Sequence, residues 1–197
     1  MRIFSVLALF TALLIGAPGQ AANFKPQDAA ELDRISAALN GIHSLKGDFV
    51  QIDPNGQIEQ GQLYIQKPGK MRFEYQPPSA TVVVSDGIDV AVFNKKLNTA
   101  DRYPLSTTPL NILLSDHVNL RQNKYVVGIE HRSGEIVVSA RSNDRRMTGN
   151  ITIVFSDPGL ELRQWTVVDA QGLATTVTLR NIETGVSLQS VMFLTHG

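Results

Sequence analysis

Residues 61–75 read Gly-Gln-Leu-Tyr-Ile-Gln-Lys-Pro-Gly-Lys-Met-Arg-Phe-Glu-Tyr. Leu63 and Ile65 flank Tyr64, and Met71, Phe73 and Tyr75 alternate with Arg72 and Glu74. A period of two belongs to half-buried strands, whose successive side chains point to opposite faces of a sheet. Lys67-Pro68-Gly69-Lys70 between the two runs has the composition of a tight turn. The stretch therefore predicts two neighbouring strands joined by that turn, with Met71, Phe73 and Tyr75 on one face.

The same period runs outward in both directions. Upstream, Leu45, Gly47 and Phe49 alternate with Lys46 and Asp48, ahead of an Asp53-Pro54-Asn55-Gly56 turn. Downstream, Gln76-Pro77-Pro78-Ser79 breaks the pattern, residues 81–85 make a short strand, and Asp86-Gly87 turns the chain into Ile88, Val90 and Val92. Later strands are expected at 125–131, 135–141, 150–156, 160–169 and 173–183, with a last one at 186–193. Ser133-Gly134, Asp157-Pro158-Gly159 and Gln171-Gly172 separate them. Connections this short make an antiparallel, meandering sheet.

Two segments depart from the pattern. Pro26-Gln27-Asp28 opens a helix, with Asp28 and Glu31 placed to favour its dipole. Leu32, Ile35, Leu39 and Ile42 form one apolar stripe, which Ala29, Ala37 and Ala38 widen with little bulk, and Asn40-Gly41 closes it. So narrow a stripe lies on an apolar surface rather than inside a core. Residues 104–120 form the second departure, an irregular approach and then a short helical turn carrying Leu110, Ile112, Leu113 and Leu114, with Ser or Thr expected as its cap. It is too brief to be stable alone and must lean on the sheet. Ten or eleven strands could close a barrel or curl into a half-barrel. Two short helices can cover only one face of it, so the convex face is expected to meet water. The fold class expected is mainly β with an α lid.

Composition narrows the function. The chain has 197 residues, 43% of them hydrophobic and 18% charged, enough for a sizeable core and unlike a disordered chain. Its formal charge is zero, which disfavours a nucleic-acid or polybasic membrane-surface partner. Cysteine is absent, excluding disulfides, thiol chemistry and a lipid anchor on an N-terminal cysteine. Residues 1–22 read as a secretory signal peptide: Arg2 supplies the positive start, Ile3 to Ile15 the apolar run, and Gly19-Gln20-Ala21 a cleavage site after Ala21, with Ala22 the alternative. Residues 23–197 then form a single domain, expected as a monomer in a bacterial periplasm.

Signatures of catalytic chemistry are few. His43, His117, His131 and His196 show no metal-pair or HExxH spacing, and no nucleophile elbow, Ser-x-x-Lys or phosphate-binding glycine loop occurs. Carboxylates meeting in space could still hydrolyse a glycoside, though nothing favours it. No enzyme activity, cofactor or metal is expected. Arg141, Arg145 and Arg146, with Asp144 among them, read as a solvated hairpin tip or as a docking patch for an acidic partner. The two apolar helical segments either seal an ordinary core or form a movable lid over a lipid-sized pocket. In the second case burial at ~0.8 kcal/mol per methylene would hold an acyl chain without specific polar contacts.

Gly61–Tyr75, followed by Pro77-Pro78 and by Val83-Val-Ser-Asp-Gly87, resembles the strand pair and V-S-D-G hairpin of the outer-membrane lipoprotein carrier protein (LolA-like) family. Leu45–Gln51 is similar to its short F-x-Q strand, and Pro109–Leu114 to its second lid helix. The resemblance implies an unclosed antiparallel half-barrel whose concave apolar face is covered by short helices. It also implies a periplasmic shuttle that accepts acylated lipoproteins from an inner-membrane ABC-type release complex and passes them to an outer-membrane receptor lipoprotein. The cavity and lid residues it implies are Leu32, Ile35, Leu39, Phe49, Leu63, Ile65, Met71, Phe73, Tyr75, Val90, Val92, Leu110, Ile112, Leu113 and Leu114. Lys67 stands where many members carry an arginine that latches the lid, and Arg72 falls on the opposite face from Met71 and Phe73. The missing lipobox cysteine argues against the lipid-anchored, receptor-type relatives. The alternative is a periplasmic lipid-binding or lipid-sensing module of the same fold with another ligand.

Overall fold

The computed structural model describes residues 24–144 and 147–195. The expected signal segment, Arg145, Arg146 and His196 lie outside the described residues. Helix α1 (Pro26–Gly41) is followed by strands β1 (Ser44–Ile52), β2 (Ile58–Gln66), β3 (Lys70–Tyr75), β4 (Thr81–Asp86), β5 (Asp89–Asn94) and β6 (Thr99–Pro104). A 3-10 turn (Leu105–Thr107) and the one-turn helix α2 (Asn111–Leu114) come next. Strands β7 (Val126–Arg132), β8 (Glu135–Asp144), β9 (Met147–Ser156), β10 (Leu162–Val168) and β11 (Ala174–Thr184) complete the sheet, and a 3-10 turn (Ser190–Phe193) follows.

The eleven strands form one antiparallel sheet in the order β6-β5-β4-β3-β2-β1-β11-β10-β9-β8-β7. Each half is a meander, as the short turns require. The join between the halves is long-range: β1 pairs with β11, placing Phe49 opposite Leu179 and Gln51 opposite Val177. β6 and β7 are the two free edges, so the sheet is unclosed. The chain between those edges carries the 3-10 turn and α2.

Alternation decides the faces. Phe49, Leu63, Met71, Phe73, Val90, Ile153, Trp165 and Val177 share one buried cluster with Leu32, Ile35 and Leu39 of α1 and with Ile112, Leu113 and Leu114 of α2. The core is therefore the concave side of the sheet plus the inner faces of both helices. Fully burying side chains such as Leu32 and Ile35 contributes about 1.5–3 kcal/mol each. Ala37 is exposed, and the helix instead buries Ser36, whose hydroxyl donates to the Leu32 carbonyl at 2.6 Å and accepts from the Leu120 N–H at 3.0 Å.

The structure corrects several expectations. Residues 186–193 are not a strand. They run across the convex face, where Phe193 is buried with Val82 and Val84 and packs against Tyr64, Phe93, Leu188 and Met192. That face is thus partly covered rather than left wholly to water. Arg72 donates to the Met192 carbonyl at 3.0 Å, Arg102 to the Thr195 carbonyl at 2.9 Å, and the Thr195 hydroxyl to Asp86 at 2.6 Å, strapping the segment down. Strand β6 supplies the eleventh strand instead. Ile88 lies in the turn between β4 and β5 and is 76% exposed, because the strand begins only at Asp89. No side chain caps α2: Leu110 occupies the cap position, and the Asn111 N–H bonds the Thr108 carbonyl at 3.2 Å.

Candidate functional site

The floor of the concave side is aromatic. Phe49 on β1 meets Phe73 and Tyr75 on β3 edge to face, with ring centroids 4.9 and 5.0 Å apart, and Phe73 meets Trp165 on β10 at 6.2 Å. Strand β2 lies between β1 and β3, and its residue opposite both Phe49 and Tyr75 is Gly61. A Cβ on Gly61 would stand 1.9 Å from the Glu74 carbonyl oxygen and 2.9 Å from the Phe49 ring. Glycine there lets two rings from non-adjacent strands touch across the middle strand.

The turn between β2 and β3 holds both helices. Lys67 donates through Nζ to the Leu39 carbonyl at 2.9 Å, in the last turn of α1. The Gly69 N–H donates to the Leu114 carbonyl at 2.8 Å, at the end of α2. Helix C-termini carry partial negative charge and carbonyls short of intrahelical partners: Gly69 meets that need at Leu114, while the Leu39 carbonyl accepts from both Lys67 and the Ile42 N–H. Gly69 sits at φ 72°, and a Cβ on it would come within 2.5 Å of the Gly87 backbone, so only glycine fits. Burial lowers the Lys67 ammonium below its ordinary range, partly offset by the Asp116 carboxylate. Helix α1 is also tied to the segment after α2: the Asn40 amide exchanges two hydrogen bonds with the Val118 backbone at 2.8 and 2.9 Å, and Arg121 pairs with Asp33 at 3.0 Å.

Beside the lid lies a cavity of about 380 Å³, toward the small end of the ~300–1,000 Å³ usual for small-ligand sites. Met71, Phe73, Tyr75, Val83, Val90, Trp165, Val167 and Val177 form its apolar wall, and Pro109 and Leu110 its cover. Gln51, Tyr103, Thr107, Thr108, Asp169 and Thr175 supply polar groups. The Tyr75 hydroxyl donates to Gln51 at 2.8 Å. Burial foremost, then the Glu59 carboxylate, pushes the Tyr75 phenol up to about 12.

The sequence-predicted residues divide into two groups. Met71, Phe73, Tyr75, Val90 and Leu110 line the cavity directly. Leu32, Ile35, Leu39, Phe49, Leu63, Ile65, Ile112, Leu113 and Leu114 are buried together beneath the helices, as the packing that seats them. Val92 is half-buried and stands outside both groups. Arg72 lies on the convex face, as its alternation requires, and Arg141 is exposed. The contribution of the second half of the sheet was not foreseen: Trp165 and Val167 on β10 and Thr175 and Val177 on β11 alternate in the sequence, which marks a shared face without saying which one it is. Among the described residues no group of three or more His, Asp or Glu gathers as a metal site would require.

An open antiparallel sheet curled around an apolar cavity, with two helices hung from one turn, defines a half-barrel fold with a covered cavity. Residues 40–195 match the family model described as outer membrane lipoprotein carrier protein LolA, and the chain belongs to that family. An outer-membrane lipoprotein carrier protein of Chromohalobacter salexigens is 29% identical over 82% of this chain and 80% of its own. That of Methylococcus capsulatus is 28% identical over 81% and 80%. A solved outer-membrane lipoprotein-sorting protein domain from Vibrio parahaemolyticus shares the fold, with a TM-score of 0.51 at 11% identity, covering 85% of this chain and 96% of that one.

Proposed function

We propose that this chain is a periplasmic, monomeric carrier that holds the acyl chains of lipoproteins in the lidded cavity. It takes them from an inner-membrane ABC-type release complex and hands them to a receptor lipoprotein on the outer membrane. The observation that carries this reading is the apolar cavity beneath helices whose C-terminal ends share one anchoring turn. An acyl chain entering it gains ~0.8 kcal/mol per buried methylene, without needing directional contacts. The cavity as it stands is small for several chains at once, so loading moves the helices outward. Ligand binding then competes with lid closure, which makes both uptake and release adjustable. The residues in the roles of wall and cover are Met71, Phe73, Tyr75, Val90 and Leu110, and Lys67 has the role of latch.

The test is titration of the purified chain with a neutral fluorescent acyl probe, followed by transfer of a bound lipoprotein to receptor-bearing membranes. Saturable probe binding, displaced by an acylated lipoprotein, is expected. A folded protein that binds no probe overturns the carrier reading.

A further inference from the structure

We propose that the cavity sorts acyl ligands by their head groups, admitting neutral or cationic heads that donate hydrogen bonds and rejecting carboxylates. The inference rests on the carrier reading and adds a chemical class to it. Three hydroxyls at the cavity have already committed their protons to the protein. Thr107 donates to the Pro104 carbonyl at 2.7 Å, Thr108 to the Leu105 carbonyl at 2.9 Å, and Tyr75 to Gln51 at 2.8 Å. What these oxygens retain is lone pairs. Tyr103, Thr175, the Gln51 amide and the Trp165 indole N–H are the lining groups still able to donate, and all are neutral.

Among the described residues Asp169 is the only charged one lining the cavity. One of its carboxylate oxygens accepts from the Gln171 and Leu173 N–H groups, both at 2.9 Å, and the other has no partner among the described residues. The surrounding field has the same sign. Tyr75 feels the Glu59 carboxylate and Tyr103 that of Asp101, in both cases adding to the upward push of burial. Among the described residues no Lys, Arg or His lines the cavity. A carboxylate head would lose its water to face lone pairs and a fixed negative charge, with no cation among the described lining residues to pair it. An amide N–H, a glycerol hydroxyl or an ammonium would find acceptors already in place.

The experiment displaces a neutral fluorescent acyl probe from the full chain with three ligands of equal chain length: a fatty acid held above its pKa, a monoacylglycerol and an alkylammonium. The neutral and cationic ligands are expected to compete about tenfold better than the carboxylate, a gap that added salt narrows. Asp169→Asn keeps the acceptor that closes the 169–173 turn while removing the charge, and is expected to strengthen carboxylate binding several-fold. Equal competition by all three ligands, or a gap indifferent to both salt and Asp169→Asn, overturns the selectivity. If Asp169→Asn does not fold, the salt dependence of the native chain decides alone. Failure of every ligand and of the probe itself overturns the carrier reading instead.

Discussion

Lys67 and Leu39 are joined by a 2.9 Å hydrogen bond from the lysine ammonium to the carbonyl oxygen, binding the β2–β3 turn to the last turn of α1. Lysine offers its donors on a flexible stem, where arginine would present a planar fork. Lys67→Arg is therefore expected to stabilise the closed lid and slow acyl-probe uptake. Lys67→Leu removes the bond. Its uptake should quicken by up to about tenfold, for a bond to a charged group worth about 1.5 kcal/mol. Loss of the closed state should also leave cargo harder to pass on, because closure no longer competes with the bound ligand. Stopped-flow uptake and lipoprotein transfer, compared across the three proteins, measure both effects. Equal rates would mean that Leu32, Ile35 and Leu39 hold the lid by packing alone.

Phe73 lies at the centre of the ring cluster and is 4% exposed. Phe73→Glu is expected to abolish acyl binding while leaving a folded chain, the carboxylate reaching cavity water but repelling hydrocarbon. Circular dichroism and probe titration on the same sample separate the two effects. A variant that fails to fold would show the position to be structural packing first.

Gly61→Ala should destabilise the chain by about 1–3 kcal/mol, since the added methyl meets the Glu74 carbonyl and the Phe49 ring in a packed sheet. The urea midpoint should fall with little change in slope. Unchanged stability would show that β2 and β3 can separate slightly there.

Tyr75 gives the fold an alkaline limit. Its folded pKa is raised to about 12, while the unfolded phenol titrates near ~10. Below the unfolded value both states keep the proton, and this group adds no pH dependence. Between the two values the unfolded chain loses its proton first, so stability falls as pH rises, by about 2–3 kcal/mol in all. Tyr75→Phe should lose stability less steeply over that window. Urea midpoints at about pH 9 and about pH 11.5 for both proteins measure the difference. Parallel decline would remove Tyr75 as the cause.

Strands β1 to β3 were legible because most of their buried residues alternate with polar or half-buried ones, and the continuous apolar runs of β4 and β5 because turns bound them. Strand β6 was not: Thr99, Asp101 and Tyr103 share a face with Ala100 and Arg102 behind them, and an exposed edge has no need of an apolar side. The opposite error occurred at 186–193. Leu188, Met192 and Phe193 are apolar because they cover the back of the sheet, and hydrophobicity reports burial rather than backbone conformation. At the site, Met71, Phe73 and Tyr75 could be placed from their own strand. Trp165 and Val177 could not, because their face is set by the pairing of β1 with β11 across more than a hundred intervening residues. Local pattern carries no information about such a partner.

That same pairing sets a timetable for the chain. The strand that completes the middle of the sheet is the last to be synthesised, so the first six strands spend most of the chain's elongation without the neighbour that finishes their floor. Loop closure over such a separation makes folding slow relative to local contacts. Until β11 pairs with it, β1 is an exposed edge, able to accept a strand from another unfinished copy.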